Sequence, residues 1–332
     1  LELLAAAATR VVDELTPAIA AEAARVVELR GKGLRVREPI FDPEARLADA
    51  RALASEVLEA IRAGDPARTE AQLGELEEVL DGTRERLDAT GRLHTELPRL
   101  VAERRAALAA ARGRTAPARV TLGELEKAYA HASFAAESDN LGECDALFTQ
   151  IETLCSDAEQ DGQAATQRYL AGDEKLGRAA AALTAITELL DAIDQRKSEI
   201  EAATAHARAE LARAREARAT LGKLAGAHAH AVGAGPVGVL ESSEHALAEV
   251  DETMAAPRPE WFGLDQRASQ LAAVLTDAAA VAQRDIDAHA AAEREVSDGG
   301  AVLERVRSEL GASTVDRAPA NARLAAATGE LE

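Results

Sequence analysis

Apolar residues recur along most of the chain at steps of three and four, the spacing that places them on one face of an α-helix. One such stripe follows Pro43 and comprises Leu47, Ala50, Ala54, Val57 and Ile61. A longer stripe, within residues 173–224, comprises Leu183, Ile186, Leu190, Ile193, Lys197, Ile200, Thr204, Ala207, Leu211, Ala214, Arg218 and Leu221. This heptad-like spacing predicts one coiled-coil-like helix, the longest of the chain, and about fifty residues of helix would be roughly 75 Å long.

Gly64, Asp65 and Pro66 interrupt the helical pattern in that order. Glycine can adopt the left-handed conformation that ends a helix, aspartate can accept hydrogen bonds from the free N–H groups of the next, and proline suits a first turn. Because a connection this short joins antiparallel neighbours, these residues predict the tip of a helix hairpin. Asp42 and Pro43 predict the start of the preceding helix in the same way.

Two later breaks predict two further hairpins. SDNLGE at 138–143 ends helical sequence that begins near residue 122, and APRPEW at 256–261 ends helical sequence that begins near residue 240. The three tips are unequally spaced, which predicts a loose structural repeat and not a strict sequence repeat.

Two glycine-containing stretches predict further interruptions. Residues 224–240 read LAGAHAHAVGAGPVGVL, and their glycines together with Pro236 predict a hinge or loop. SDGG at 297–300 predicts a break in the last long helix.

The composition makes a wide globular core unfavourable. Hydrophobic residues form 47% of the chain but aromatic residues only 2%, and much of the rest is alanine, which buries little area. We therefore predict an all-α, elongated, spectrin-like array of antiparallel helix pairs or three-helix bundles. The predicted segments are an N-terminal helix and linker at 1–41, helical repeats at 42–120 and 121–231, and a third repeat with the C-terminal tail at 232–332.

The net charge of −20 argues against nucleic acid as a partner, since the chain would repel phosphate groups. The most basic segment, Arg99–Arg119, lacks interleaved aromatic residues and predicts a solvated helix face. No run of eighteen apolar residues occurs, so we expect no membrane insertion of this fragment. Because the chain begins at Leu1 and not at methionine, we expect it to be an excised piece or a processed form.

Residues with catalytic or metal-binding chemistry form no recognisable motif. His228 and His230 are two positions apart and would point to different sides of a helix. In an extended loop they would lie on one face and could bind a metal weakly, but we interpret them as solvated loop histidines. Cys144 and Cys155 are too far apart on one helix for a disulfide and are interpreted as ordinary reduced thiols. We predict no catalytic, cofactor-binding or metal-ligating residues, and no cofactor.

Four aromatic residues are the most informative exceptions in this composition. Trp261 and Phe262 adjoin the APRP turn, and Tyr129 and Phe134 lie near the second predicted tip. Exposed aromatic residues of this kind would contact a partner protein. Alternatively, they fill the end of a bundle where alanine would leave a gap.

The segment LASEVLEAIRAGDPARTEAQLGELEEVLDGTRERLD, followed by TELPRLVAERRAAL, resembles the repeat of bacterial spectrin-like proteins of the septation ring regulator (EzrA) kind. The shared features are a short helix, a Gly-Asp turn, a longer helix and a continuation that contains Leu-Pro. The resemblance implies a curved helical body that faces the cytoplasm and is tethered by an N-terminal membrane segment outside this fragment. It implies no catalytic residues.

These observations favour a non-enzymatic bacterial scaffold, a spacer or platform for other proteins or for further copies of itself, within a larger membrane-tethered chain. One alternative is a sensory or signalling bundle with a ligand cavity or a switch at residues 232–238. A second is a helical appendage of a larger membrane enzyme. A di-iron enzyme is the least favoured, because it needs two Glu-x-x-His motifs and the chain offers only Glu241-Ser242-Ser243-Glu244-His245.

Overall fold

The computed structural model describes residues 2–312 and 318–331, and most of them are helical. The helices are α1 (Glu2–Thr9), a π-helical segment (Arg10–Leu15), α2 (Thr16–Gly31), α3 (Pro43–Ala63), α4 (Pro66–Ala128), a 3₁₀ turn (His131–Ser133), α5 (Asn140–Gly162), α6 (Tyr169–Ala227), α7 (Ala234–Met254), α8 (Trp261–Ala312) and α9 (Ala318–Leu331). Among the described residues β pairing is limited to an isolated bridge between Glu38 and Phe41. The prediction of an all-α protein is confirmed.

The chain divides into two compact units. The first comprises the residues up to Leu122 together with Ala136–Asp194, and the second comprises Gly123–Ala135 together with the residues from Gln195 onward. Helices α4 and α6 contribute residues to both units. The four predicted segments stay a prediction.

The hairpin tip between α3 and α4 has the predicted chemistry. Gly64 has a φ of +69°, in the left-handed region, and Asp65 Oδ1 accepts a hydrogen bond from the Arg68 N–H at 3.0 Å. The side-chain amide of Gln72 donates to Glu56 at 2.7 Å, which joins the two helices two turns beyond the tip. Asp42 likewise caps α3, accepting from the Ala45 N–H at 3.2 Å.

Helix α6 confirms the long helix predicted for residues 173–224 and extends it at both ends. The buried members of the predicted stripe are Ile186, Leu190, Ile193, Ile200, Ala207, Leu211, Ala214 and Leu221. The prediction that this helix is the longest was wrong, because α4 has 63 residues and α6 has 59. Helix α4 continues through Pro98 and Pro117, and near Pro98 the neighbouring Leu97 and Val101 are buried, so packing there offsets the local cost of proline.

Three boundaries predicted from the sequence were wrong. The sequence predicts helix from near residue 122 up to the SDNLGE break, but α4 ends at Ala128 and residues 129–137 lie outside it. The loop predicted for 224–240 is confined to 228–233, because Pro236 lies in the first turn of α7, where backbone N–H groups have no helical acceptor. SDGG at 297–300 does not interrupt α8, since two glycines cost only about 2 kcal/mol in a helix of 52 residues.

Ion pairs border the buried stripes of the first unit. Arg105 of α4 pairs with Glu159 of α5 at 2.7 Å, and Arg112 pairs with Glu152 at 2.6 Å. Arg114 of α4 pairs with Asp191 of α6. The basic segment 99–119 therefore keeps the solvated arginines that the sequence predicts, and three of them also neutralise acidic residues on neighbouring helices.

Candidate functional site

The four aromatic residues singled out in the sequence all lie in the second unit. The backbone N–H of Ala130 donates to the Pro259 carbonyl at 3.3 Å, which joins the segment after α4 to the turn before α8. Trp261 and Phe134 are 4% and 2% exposed, whereas Phe262 and Tyr129 are half-buried. Burial of the first two supports the packing interpretation for them, and contact with a partner stays a prediction.

Arginines on α6 cover the aromatic rings at the start of α8. The guanidinium carbon of Arg208 lies 5.3 Å from the Trp261 ring centroid, and that of Arg196 lies 5.7 Å from the Phe262 ring centroid. Cation–π contacts of this kind contribute about 0.5–1 kcal/mol at exposed sites and more where water is excluded. They fix the position of both rings against α6.

Glu260 explains why α8 begins at Trp261. Its carboxylate accepts hydrogen bonds from the N–H groups of Phe262 at 3.0 Å and Gly263 at 2.7 Å. A negative charge at this end of a helix also interacts favourably with the helix dipole. The APRPEW sequence therefore ends one element and caps the next, as the Gly-Asp-Pro turn does between α3 and α4.

A buried polar cluster at the N-terminus of α6, in the first unit, has no counterpart in the sequence predictions. Glu38 is 5% exposed, and its carboxylate accepts hydrogen bonds from the N–H groups of Leu170 at 2.9 Å and Ala171 at 3.1 Å. Burial raises the pKa of Glu38, and these two hydrogen bonds oppose the rise. Glu38 therefore caps α6 from a position 132 residues earlier in the chain.

Asp161, 1% exposed, is the second acidic member of this cluster. It accepts charged hydrogen bonds from Lys175 at 2.6 Å and from Arg168 at 2.9 Å. Nearby, His94 Nδ1 lies 3.0 Å from the Tyr169 hydroxyl, and burial raises the pKa of that hydroxyl. Because the carboxylates are paired with cations or backbone N–H groups, the cluster is suited to fixing the start of α6.

Leu97 packs against two glycines beside this cluster. A Cβ atom added to Gly162 would lie 2.8 Å from Leu97 Cδ2, and one added to Gly172 would lie 3.0 Å from the same atom and 3.3 Å from the Ala158 carbonyl oxygen. The two glycines leave the space that the Leu97 side chain of α4 occupies against α5 and α6. An open groove of about 540 Å³ adjoins this contact, and the paired Arg105 and Glu159 are among its lining residues.

The remaining candidate residues separate into two groups. Cys144 and Cys155 are buried free thiols whose pKa values are raised by burial, in agreement with the interpretation as ordinary thiols. His230, in contrast, lies with its ring centroid 4.9 Å from that of His289 on α8. Sequence reasoning missed this approach, because the two histidines are far apart in the chain.

A scan against protein-family models and searches of curated proteins and of solved structures found no match. Across the described ranges, no helix combines the length and the apolar character needed to cross a membrane.

Proposed function

We propose that this chain is a non-enzymatic scaffold, a helical spacer and interaction platform for other proteins, built as an elongated spectrin-like array. The observation that carries the proposal is the length of α4 and α6, 63 and 59 residues. At 1.5 Å per residue their helical paths are about 95 Å and 89 Å. Helices of this length with narrow buried stripes are suited to holding attached proteins at a fixed separation.

The capped hairpin at residue 65 and the ion pairs between α4, α5 and α6 support a scaffold of defined geometry. Exposed pairs of this kind contribute little free energy each, but they favour one alignment of neighbouring helices over another. The resemblance to bacterial spectrin-like repeats supports a cytoplasmic location within a larger membrane-tethered chain. It also favours protein partners, among them further copies of the chain.

Small-angle X-ray scattering of the monomer tests the spacer. A compact domain of this length has a radius of gyration of about 20 Å, whereas a rod as long as α4 alone has a value of roughly 27 Å. We expect a value at or above the second figure. A measured radius near that of the compact domain would contradict the proposal.

Capture of partners from cells of the source species tests the platform. Phe262 is half-buried and adjoins the buried Trp261, so Phe262→Ala removes a partly exposed ring and its contact with Arg196 while it leaves the buried Trp261 in place. We expect this variant to lose captured proteins while its melting temperature stays close to that of the unmodified chain. Val120→Ala, at a residue 63% exposed in the first unit, is the matched control. Identical capture by all three chains would contradict a partner contact at Phe262.

A further inference from the structure

The loop between α6 and α7 places a histidine against α8 in the second unit. His230 from this loop, together with His289 and Glu293 of α8, offers three ligand atoms that all lie within 4.8 Å of one another. His289 and Glu293 are four residues apart, so both side chains lie on one face of the helix. The arrangement combines residues from two elements, which is why the spacing of His228 and His230 could not reveal it.

The loop is fixed in this position by contacts other than those of the three side chains. The Gly233 N–H donates to Asp285 Oδ2 at 3.0 Å, one helical turn before His289. Within the loop, the N–H groups of Ala231 and Val232 donate to the His228 carbonyl at 2.9 and 3.0 Å. His230 is therefore held near α8 by contacts of the loop backbone, and its ligand nitrogen lies within 4.8 Å of the ligand atoms of the other two side chains.

Two imidazoles and one carboxylate are a ligand set for divalent transition metals, and Zn²⁺ commonly binds three such ligands together with a water molecule. Tetrahedral ligands at the usual Zn²⁺ bond lengths lie about 3.4 Å from one another. His289 Nδ1 and Glu293 Oε1 are already 3.5 Å apart. The remaining ligand, His230, is exposed, so its side chain can adjust without disturbing the core.

We propose that His230, His289 and Glu293 bind one divalent transition-metal ion of the Zn²⁺ type, which joins the α6–α7 loop to α8. The site does not depend on the scaffold proposal, because it rests on a separate set of side chains. An ion that binds only the folded second unit would stabilise that unit by mass action. The loop would then be held to α8 by a coordination bond in addition to the hydrogen bond from Gly233.

Calorimetric titration of the whole chain with Zn²⁺, after treatment with a chelator, tests the site. We expect one ion per chain for the unmodified protein, together with a higher melting temperature. Loss of a residue that only hydrogen-bonds a metal ligand costs about 10–100-fold in affinity, and loss of a ligand itself should cost at least as much. We therefore expect binding at least about 10-fold weaker in each of three variants, His230→Ala, His289→Ala and Glu293→Gln. Mg²⁺, which prefers oxygen ligands, should not compete.

His228→Ala is the matched control, because His228 lies in the same loop and is outside the proposed ligand set. We expect it to bind Zn²⁺ as the unmodified chain does. The proposal is wrong if Zn²⁺ does not bind, if the three ligand variants bind normally, or if His228→Ala loses binding equally. Circular dichroism checks folding, and His230→Ala and Glu293→Gln change exposed side chains, so they decide the outcome even if His289→Ala loses helix.

Discussion

His206 Nδ1 lies 2.5 Å from Asp265 Oδ1, and this contact joins α6 to α8 within the second unit. The hydrogen bond and the charge of Asp265 raise the pKa of His206, with a smaller contribution from Glu210 that Arg213 opposes. A histidine pKa that is higher in the folded chain than in the unfolded chain favours folding at low pH. The contribution is complete below the unfolded pKa of about 6.5 and is lost as pH rises through the folded value.

Asp265→Asn should lower the pKa of His206, because it removes the negative charge while keeping the size of the side chain. The measurement is an NMR titration of the His206 ring protons in both chains. Asp277→Asn, at an exposed carboxylate twelve residues further along α8, is the control. An unchanged His206 pKa in Asp265→Asn, or an equal fall in Asp277→Asn, would show that the close contact does not govern the protonation of this histidine.

At the scale of the element, two glycines of α6 should respond oppositely to the same substitution. Gly172→Ala places a Cβ atom 3.0 Å from Leu97 Cδ2 and 3.3 Å from a backbone oxygen, whereas Gly177→Ala meets nothing within 4 Å. Overpacking typically costs 1–3 kcal/mol, and replacing an exposed helical glycine with alanine gains about 0.5–1 kcal/mol. We therefore expect Gly172→Ala to lower the free energy of unfolding and Gly177→Ala to raise it.

Urea denaturation followed by circular dichroism measures both effects. A rise in both variants would mean that helix propensity alone decides the outcome, and a fall in both would show that the difference in space at the two glycines does not govern their response. The double change Gly172→Ala with Leu97→Ala provides a further check, because removal of the Leu97 methyl groups relieves one of the two close approaches. Gly172→Ala should therefore lower the free energy of unfolding less in the Leu97→Ala background than in the unmodified chain.

Elements whose causes are local were predictable from the sequence, and elements with distant causes were not. The cap at Asp65 and the stripe that includes Ile186 and Ile200 depend on neighbours within one or two turns, so spacing and turn chemistry suffice. The cap that Glu38 provides for α6 depends on a partner 132 residues away, and no local pattern indicates it. The helical course of residues 297–300 shows the opposite error, in which local propensity was weighted above the continuity of a long helix.

The candidate sites follow the same division. The sequence identified Trp261 and Phe262 by their rarity, and the structure adds that arginines of α6 cover both rings. The sequence did not indicate that His230 and His289 approach each other, because this contact depends on the direction of the loop between α6 and α7 toward α8. Long-range proximity of exposed residues has no periodic signature in a single sequence.

At the scale of the whole molecule, the division into two compact units predicts that stability is not uniform along the chain. Trp261→Ala removes a side chain that is 4% exposed from the second unit. Substitutions of this kind cost about 3–5 kcal/mol. We expect faster amide hydrogen exchange in α7 and the early part of α8, because local opening there becomes less costly.

Exchange in α5, which belongs entirely to the first unit, should stay close to that of the unmodified chain. Hydrogen-exchange mass spectrometry on both chains distinguishes these regions. Val274→Ala, at an α8 residue 51% exposed, is the control and should change exchange in neither unit. Equal acceleration in α5 and α7 after Trp261→Ala would show that the two units unfold as one.

The packing of Leu97 against Gly162 and Gly172 restricts which substitutions this protein can accept at the two glycines. Substitutions at surface positions of a helix usually change stability little, so we expect the exposed positions of α4 and α6 to vary freely among related chains. Where this close approach persists, we expect both positions to favour glycine, because a Cβ atom at either one would lie 3.0 Å or less from Leu97 Cδ2. Two glycines ten residues apart, packed against one leucine of a neighbouring helix, are therefore the pattern that we expect related chains with this packing to keep.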